Sequence, residues 1–182
     1  MARTFNAAAE VAYGKLYEEP IAREFAEMRW PGSEVRPAGR FADIDFLVFA
    51  SPEGVPNSRG GFKHQPGEFI AFLEIKKRRK VAGSWNSTIV HENKHHAARW
   101  GKKFFKVPSV CVVMFPDTLG YFDLHEEPDG LESIERWDRQ GVSVPHAVYN
   151  YTRMTWHPEL LETILARVAA ENELEVEDAP AE

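Results

Sequence analysis

The stretch Glu68-Phe69-Ile70-Ala71-Phe72-Leu73-Glu74-Ile75-Lys76 decides how this sequence is read. Its unbroken apolar run, ending in Glu74 and Lys76, describes a central strand covered on both faces that delivers charge at its end. Side chains at i and i+2 of a strand share a face, so Glu74 and Lys76 project together. Upstream, Ala42-Asp43-Ile44-Asp45-Phe46-Leu47-Val48-Phe49 reads as a second strand, which brings Asp45 beside that pair when the two strands are neighbours. Two carboxylates and an ammonium then converge. Hard cations prefer carboxylate, carbonyl and water oxygens, so Asp45, Glu74 and the Ile75 carbonyl are candidate ligands for Mg2+ or Mn2+, with water positions left open. An ion there would activate a bound water and offset charge growing on the reacting oxygens, while Lys76 would orient that water or neutralise the transition state.

Working outward, apolar residues recur at helical spacing from Asn6 to Met28 (Val11, Leu16, Ile21, Phe25, Met28), and Pro20 predicts two short helices or one kinked helix. Trp30-Pro31-Gly32-Ser33 is a turn before a short strand over Glu34 to Ala38. Ser51 to Gly67, rich in Gly, Pro, Asn and Ser, is expected to be a loop carrying Arg59, Lys63 and His64. Ser84 to Phe105 reads as one helix, with Ser84 or Asn86 capping its start and Gly101 a weak spot near its end. Val107 to Phe115 is a buried strand, Gly120 to Leu124 a further one, and Pro158 to Glu171 an amphipathic helix. Between them, Glu126 to Gly141 is polar with an amphipathic patch, and Val144 to Trp156 is β-like and aromatic. One domain over 1–172 is expected, followed by an acidic, disordered tail at 173–182.

Composition limits the classes available. A 182-residue chain with 43% hydrophobic and 12% aromatic residues is globular. It has no apolar run near the roughly 18–20 residues of a membrane span. Its start, Met-Ala-Arg-Thr-Phe-Asn, lacks the pattern of a secretory signal, so no membrane and a cytoplasmic location are expected. The lone Cys111 excludes an internal disulfide and a multi-cysteine zinc cluster, and its apolar surroundings make it a buried hydrophobe. The net charge of −6 hides an asymmetry: residues 76–106 carry ten Lys or Arg against one acid, Glu92, for a formal +9, which leaves −15 elsewhere. Such a segment is either a confined phosphate-binding face or a solvated charged helix face.

Asp-Ile-Asp-Phe-Leu-Val-Phe at 43–49, Phe-Leu-Glu-Ile-Lys-Lys-Arg at 72–78, a basic helix and an apolar strand together resemble the PD-(D/E)XK nuclease superfamily over roughly residues 19–115. The resemblance implies an α/β fold of restriction-endonuclease-like type, a mixed central β-sheet flanked by helices with an α-β-β-β-α-β core. It places an acid on the second strand and Glu-x-Lys on the third, positions held here by Asp45, Glu74 and Lys76. It implies hydrolysis of phosphodiester bonds in DNA with Mg2+ or Mn2+. The family pattern favours Asp45 over Asp43 as ligand, with Asp43 on the same face to assist. Some branches add a glutamate from the first helix, and Glu19 has suitable spacing. The literal Pro-Asp that names the family is absent. Lys77, Arg78 and Arg79 continue from Lys76 and would hold a nucleic-acid backbone over the metal site, while His91, Lys94 and Lys102 on the next helix would contact phosphates. Trp85 and Trp100 flank that helix and offer rings for stacking on bases or for the core. A homodimer is one way for a single site of this kind to cut two strands.

Rival readings attach to the same segment. His91-Glu92-Asn93-Lys94-His95 matches H-E-x-x-H, the helical zinc site of metallopeptidases, although Asn93 and Lys94 replace apolar residues and no third ligand follows nearby. Glu92-Asn93-Lys94 is a second Glu-x-Lys, but it lies in a polar run without an acidic strand before it. The basic run Lys76 to Lys80 also fits a nuclear-localisation signal by composition. A fold that binds nucleic acid without cutting it is the remaining alternative.

Overall fold

The strand at 69–77 sits at the centre of the molecule because its side chains are buried alternately against two different cores. The computed structural model describes residues 7–39, 43–56, 62–135 and 141–177, so the expectations on Arg59 and on 178–182 lie outside the described residues. In chain order the elements are α1 (Ala7–Arg29), β1 (Glu34–Pro37), β2 (Phe46–Phe49), β3 (Val55–Pro56), β4 (Phe62–His64), β5 (Phe69–Lys77) and β6 (Ser87–His91). They continue with α2 (Glu92–Phe105), β7 (Ser109–Met114), β8 (Leu119–Asp123), β9 (Gly130–Glu135), β10 (Ser143–Asn150), β11 (Thr155–Trp156) and α3 (Pro158–Glu177). Among the described residues, the main sheet has the order β1-β2-β5-β7-β8-β11, and a second sheet has the order β6-β10-β9. β5 is antiparallel to β2 and parallel to β7, and α2 lies in the crossover that a parallel pair requires. The fold is therefore a mixed central sheet flanked by helices, and α1-β1-β2-β5-α2-β7 follows the α-β-β-β-α-β succession.

On one face of β5, Ala71, Leu73 and Ile75 pack with Ile21 and Phe25 of α1 and Leu161 and Ile164 of α3. On the other, Phe72 meets a core formed by Cys111, Val113, Val90, Ala98, Ala147 and Tyr149, beneath α2 and the second sheet. Alternation puts Glu74 on the Phe72 side. There it lies opposite Cys111 in the β5–β7 register, and burial pushes that free thiol well above its ordinary value. Gly101 sets how closely α2 approaches this face. A Cβ added to it would stand 2.4 Å from the Phe72 ring, which is itself packed against Phe69 at 4.7 Å and Phe105 at 6.1 Å.

Four expectations change. α1 runs through Pro20 without dividing, because Ile21, Ala22, Phe25 and Ala26 are completely buried just beyond it. An interior proline costs about 3 kcal/mol, whereas burying Ile21 and Phe25 contributes about 1.5–3 kcal/mol for each. Residues 87–91 form a strand, and the helix begins only at Glu92, so neither Ser84 nor Asn86 caps it. Thr88, Ile89 and Val90 are β-branched and pair with Tyr149, Val148 and Ala147 of β10, which outweighs the helical pattern of the residues that follow. The segment 51–67 contains the short β3–β4 pair, and the polar segment after Glu126 contains β9. No helix among the described residues is long and apolar enough to cross a membrane.

Candidate active site

The pairing of β2 with β5 ends at Phe46–Leu73, and the site is built where the two strands part. Just beyond that pair, the Ile75 N–H has no strand partner on the β2 side and donates instead to Asp45 Oδ2 at 2.8 Å. The Asp45 carbonyl accepts from the Ala38 N–H at 3.0 Å, which holds the Asp45 backbone against the chain leaving β1. On β5, Lys76 Nζ donates to Glu74 Oε1 at 2.5 Å. From the first turns of α2, Lys94 Nζ donates to both Asp45 Oδ1 at 2.9 Å and Glu74 Oε2 at 2.7 Å. Its neighbour Asn93 donates to Asp43 Oδ1 at 2.7 Å, so two consecutive α2 residues hold both acids of Asp-Ile-Asp. Glu74 has no exposed surface, and the Lys94 side chain retains 18%.

Burial is the largest influence on each of the three charges. It pushes the Glu74 carboxyl up to about 7, helped by the negative charge of Asp45 and opposed by Lys76 and Lys94. Burial also raises Asp45, but the Lys94 charge and hydrogen bond, together with the Ile75 N–H, outweigh it and hold this carboxyl below its ordinary value. Lys94 is lowered by burial and raised more by Glu74 and Asp45, so its ammonium is retained above the ordinary lysine range. One point is thus surrounded by a permanent carboxylate, a second carboxylate that ionises near neutrality, and a cation.

These residues fit a hard divalent ion. Asp45 Oδ1 and Glu74 Oε2 already converge on one positive centre, and both are oxygens of the kind Mg2+ and Mn2+ select. No group of three or more His, Cys, Asp or Glu able to hold a metal occurs among the described residues. An ion at this point would therefore be held by two side-chain carboxylates, with remaining positions for carbonyl or water, as Mg2+ tolerates. Lys94 would have to leave the point that the ion takes.

Asp45, Glu74 and Lys76 are therefore brought together, and Lys94, expected at a phosphate, joins them. The other expected nucleic-acid contacts are dispersed. Lys77 Nζ lies 3.1 Å from the centre of the Tyr17 ring on α1. Arg78 donates to Thr88 Oγ1 at 2.5 Å and to the Ile89 carbonyl at 2.9 Å, tying the end of β5 to β6. Arg79 and Lys102 are exposed, and Glu19 pairs with Arg23 within α1.

The zinc reading loses its geometric basis. His91 is the last residue of β6, with ψ 134°, and lies outside the helix, so His91 and His95 do not share a helical face. His91 lies against His146, with ring centres 4.7 Å apart and the rings tilted by 47°. His95 is buried, its Nδ1 2.6 Å from the Tyr149 hydroxyl and 3.1 Å from the Leu124 carbonyl.

Comparison with protein families gives no match, and neither does comparison with curated proteins. Among solved structures, the chain is similar to Hjc of Archaeoglobus fulgidus, described as a Holliday junction resolvase from an archaeal hyperthermophile. The identity is 12% and the TM-score 0.44, over 77% of this chain and 85% of that one.

Proposed function

We propose that this chain is a metal-dependent nuclease that hydrolyses phosphodiester bonds in DNA, with Asp45, Glu74 and Lys76 as its catalytic core. The observation that carries the reading is the convergence of Asp45 Oδ1 and Glu74 Oε2 on one cationic centre, with Lys76 on the other oxygen of Glu74. Asp45 and Glu74, with the Ile75 carbonyl, would hold Mg2+ or Mn2+, which when bound activates water and offsets phosphoryl charge. The Ile75 N–H fixes one oxygen of Asp45 and leaves the other directed at the cation point. Lys76, anchored to Glu74, keeps further donors to orient a water or to meet an oxygen on which charge develops. Burial of Glu74 excludes bulk water and strengthens each of these interactions. Support for a polyanionic substrate comes from the +9 segment at 76–106, and the sequence resemblance supplies DNA.

The test incubates purified protein with linear, circular single-stranded and branched DNA in Mg2+, Mn2+ or chelator. Cleavage should require metal and should fall by at least about 100-fold in Glu74→Gln and Lys76→Ala. Intact DNA under every condition, with folded wild-type protein, would overturn the reading.

A further inference from the structure

Where the chain leaves β5, two cavities open on either side of a shared wall. One, of about 440 Å3, is lined by Arg78, Arg79, Lys80, Trp85 and Tyr151 among others, with Glu132 as its acid. The second, of about 450 Å3, is lined by Trp85, Asn86, Asn150, Tyr151, Thr152 and Trp156. Trp85 and Tyr151 belong to both. Trp85 is 59% exposed, a large apolar surface left to solvent for a side chain that is usually well buried. Its loop is tied to Tyr151, whose N–H donates to the Asn86 carbonyl at 2.9 Å. The Tyr151 ring is in turn held edge-on by Phe115 at 5.4 Å and Trp156 at 5.9 Å.

The charge lining the first cavity is mainly positive, three cations against Glu132. Lys80 Nζ stands 4.8 Å over the Trp85 ring, on a flexible stem that can turn to a phosphate. Arg78 is held by Thr88 and Ile89, both neutral acceptors, so those bonds leave its positive charge uncancelled in the cavity wall. The second cavity offers the amides of Asn86 and Asn150, which can both donate to and accept from the edges of a base. Rings, cations and amides together meet the needs of an unpaired polynucleotide: bases stack on aromatic faces while the backbone follows positive charge. Arg78 is four residues beyond Glu74 on one extended chain, about 13 Å by strand rise.

We propose that the Trp85–Tyr151 wall is a stacking track for two unpaired nucleotides of single-stranded DNA beside the catalytic carboxylates. The inference rests on the nuclease reading only for the polymer being DNA. It makes single-stranded or splayed DNA the preferred substrate, since an intact duplex keeps its base faces stacked on one another.

The test measures binding by fluorescence anisotropy in chelator, so that turnover plays no part. Labelled oligothymidylate, blunt duplex DNA and oligouridylate are compared. Trp85→Ala should weaken oligothymidylate binding by about 5- to 150-fold and leave duplex binding unchanged. Trp85→Phe, which keeps a ring, should recover most of the loss. Trp100→Ala, also at an exposed indole but on α2, should change neither. Unchanged oligothymidylate binding in Trp85→Ala, an equal loss on duplex, or an equal loss in Trp100→Ala would overturn the track. Tighter binding of oligouridylate than of oligothymidylate would overturn its assignment to DNA. Track and nuclease fail separately: Trp85-dependent binding without cleavage in Mg2+ or Mn2+ sinks only the nuclease, and cleavage with Trp85-independent binding sinks only the track.

Discussion

Lys94 and His95 are adjacent on α2, yet they enter two polar regions of opposite character. Lys94 joins a charged cluster with Asp45, Glu74 and Lys76, in which each carboxylate is satisfied by a cation. His95 joins a neutral network in which the Leu124 carbonyl accepts from the Tyr149 hydroxyl at 3.0 Å, with His95 Nδ1 close to both. Burial lowers the His95 pKa, which keeps the ring uncharged and suited to that network. A buried polar group requires a partner, but the kind of partner decides what the region can do. Neutral hydrogen bonds between fixed atoms admit no substitute, so the His95 region binds α2 to the second sheet and to the end of β8. A replaceable partner belongs to the charged region, where on the proposed reading another cation takes the place of the Lys94 ammonium.

The largest effect is expected from breaking the charged region. Lys94→Met removes the ammonium between Asp45 and Glu74 and leaves Lys76 to serve Glu74 alone. Metal-free protein should lose about 2–4 kcal/mol in chemical denaturation, less than the 3–5 of a fully buried pair because Lys94 is partly exposed. Mn2+ affinity, measured by calorimetry, should rise at least about tenfold, since an entering ion no longer displaces a competitor, and bound Mn2+ should restore stability by linkage. Weaker Mn2+ binding in the variant would mean that Lys94 supports the cation site and does not compete for it.

The two regions were not equally legible in the sequence. β5 declared itself because a strand covered on both faces is apolar whatever its partners are, and Glu74 and Lys76 followed from the two-residue period. Their convergence with Asp45 needed only neighbouring strands, and β2 and β5 are neighbours. Lys94 was hidden by a long-range effect. β6 exists because β10, far downstream, pairs with it, and no local periodicity reports such a partner. A helix drawn through 87–91 puts His91 and His95 on one face, and the sequence assigns Lys94 a phosphate where the structure gives it two carboxylates. Gly101 was equally opaque: a glycine near a helix end looks like a weakness until Phe72 is found against it.

That contact supplies the next test, because both regions depend on where α2 lies. Gly101→Ala puts a methyl into the Phe72 ring and should cost about 1–3 kcal/mol by overpacking. Displacing α2 would also carry Lys94 away from its carboxylates, so Mn2+ affinity should change along with stability. A variant with wild-type melting and wild-type Mn2+ binding would show that Phe72 turns aside freely. Proton linkage separates the regions next. The folded Glu74 value, about 7, lies above its ordinary 4.5, so the metal-free fold holds an extra proton between these values. The Glu74 contribution to stability therefore falls as pH rises through that window, while the depressed Asp45 favours the fold until acid protonates it. A metal held by Glu74 as proposed needs its ionised form, so Mn2+ affinity should drop by up to about tenfold per pH unit below 7. Equal affinity at pH 6 and pH 8 would remove Glu74 from the ligands.

The smallest effect is expected in the neutral region. Tyr149→Phe keeps the buried ring, which packs 4.5 Å from Phe122, and deletes only the hydroxyl shared by Leu124 and His95. His95 Nδ1 remains 3.1 Å from the Leu124 carbonyl, so when Nδ1 carries its proton that acceptor is still served. The loss should be about 1 kcal/mol of stability. Because the hydrogen bonds of this network join only His95, Tyr149 and Leu124 and none reaches the side chain of Asp45, Glu74 or Lys94, Mn2+ affinity and cleavage should match wild type. A change in metal binding without a comparable loss of stability would show that the two regions communicate through α2, and the contrast between Lys94 and His95 would then be one of degree.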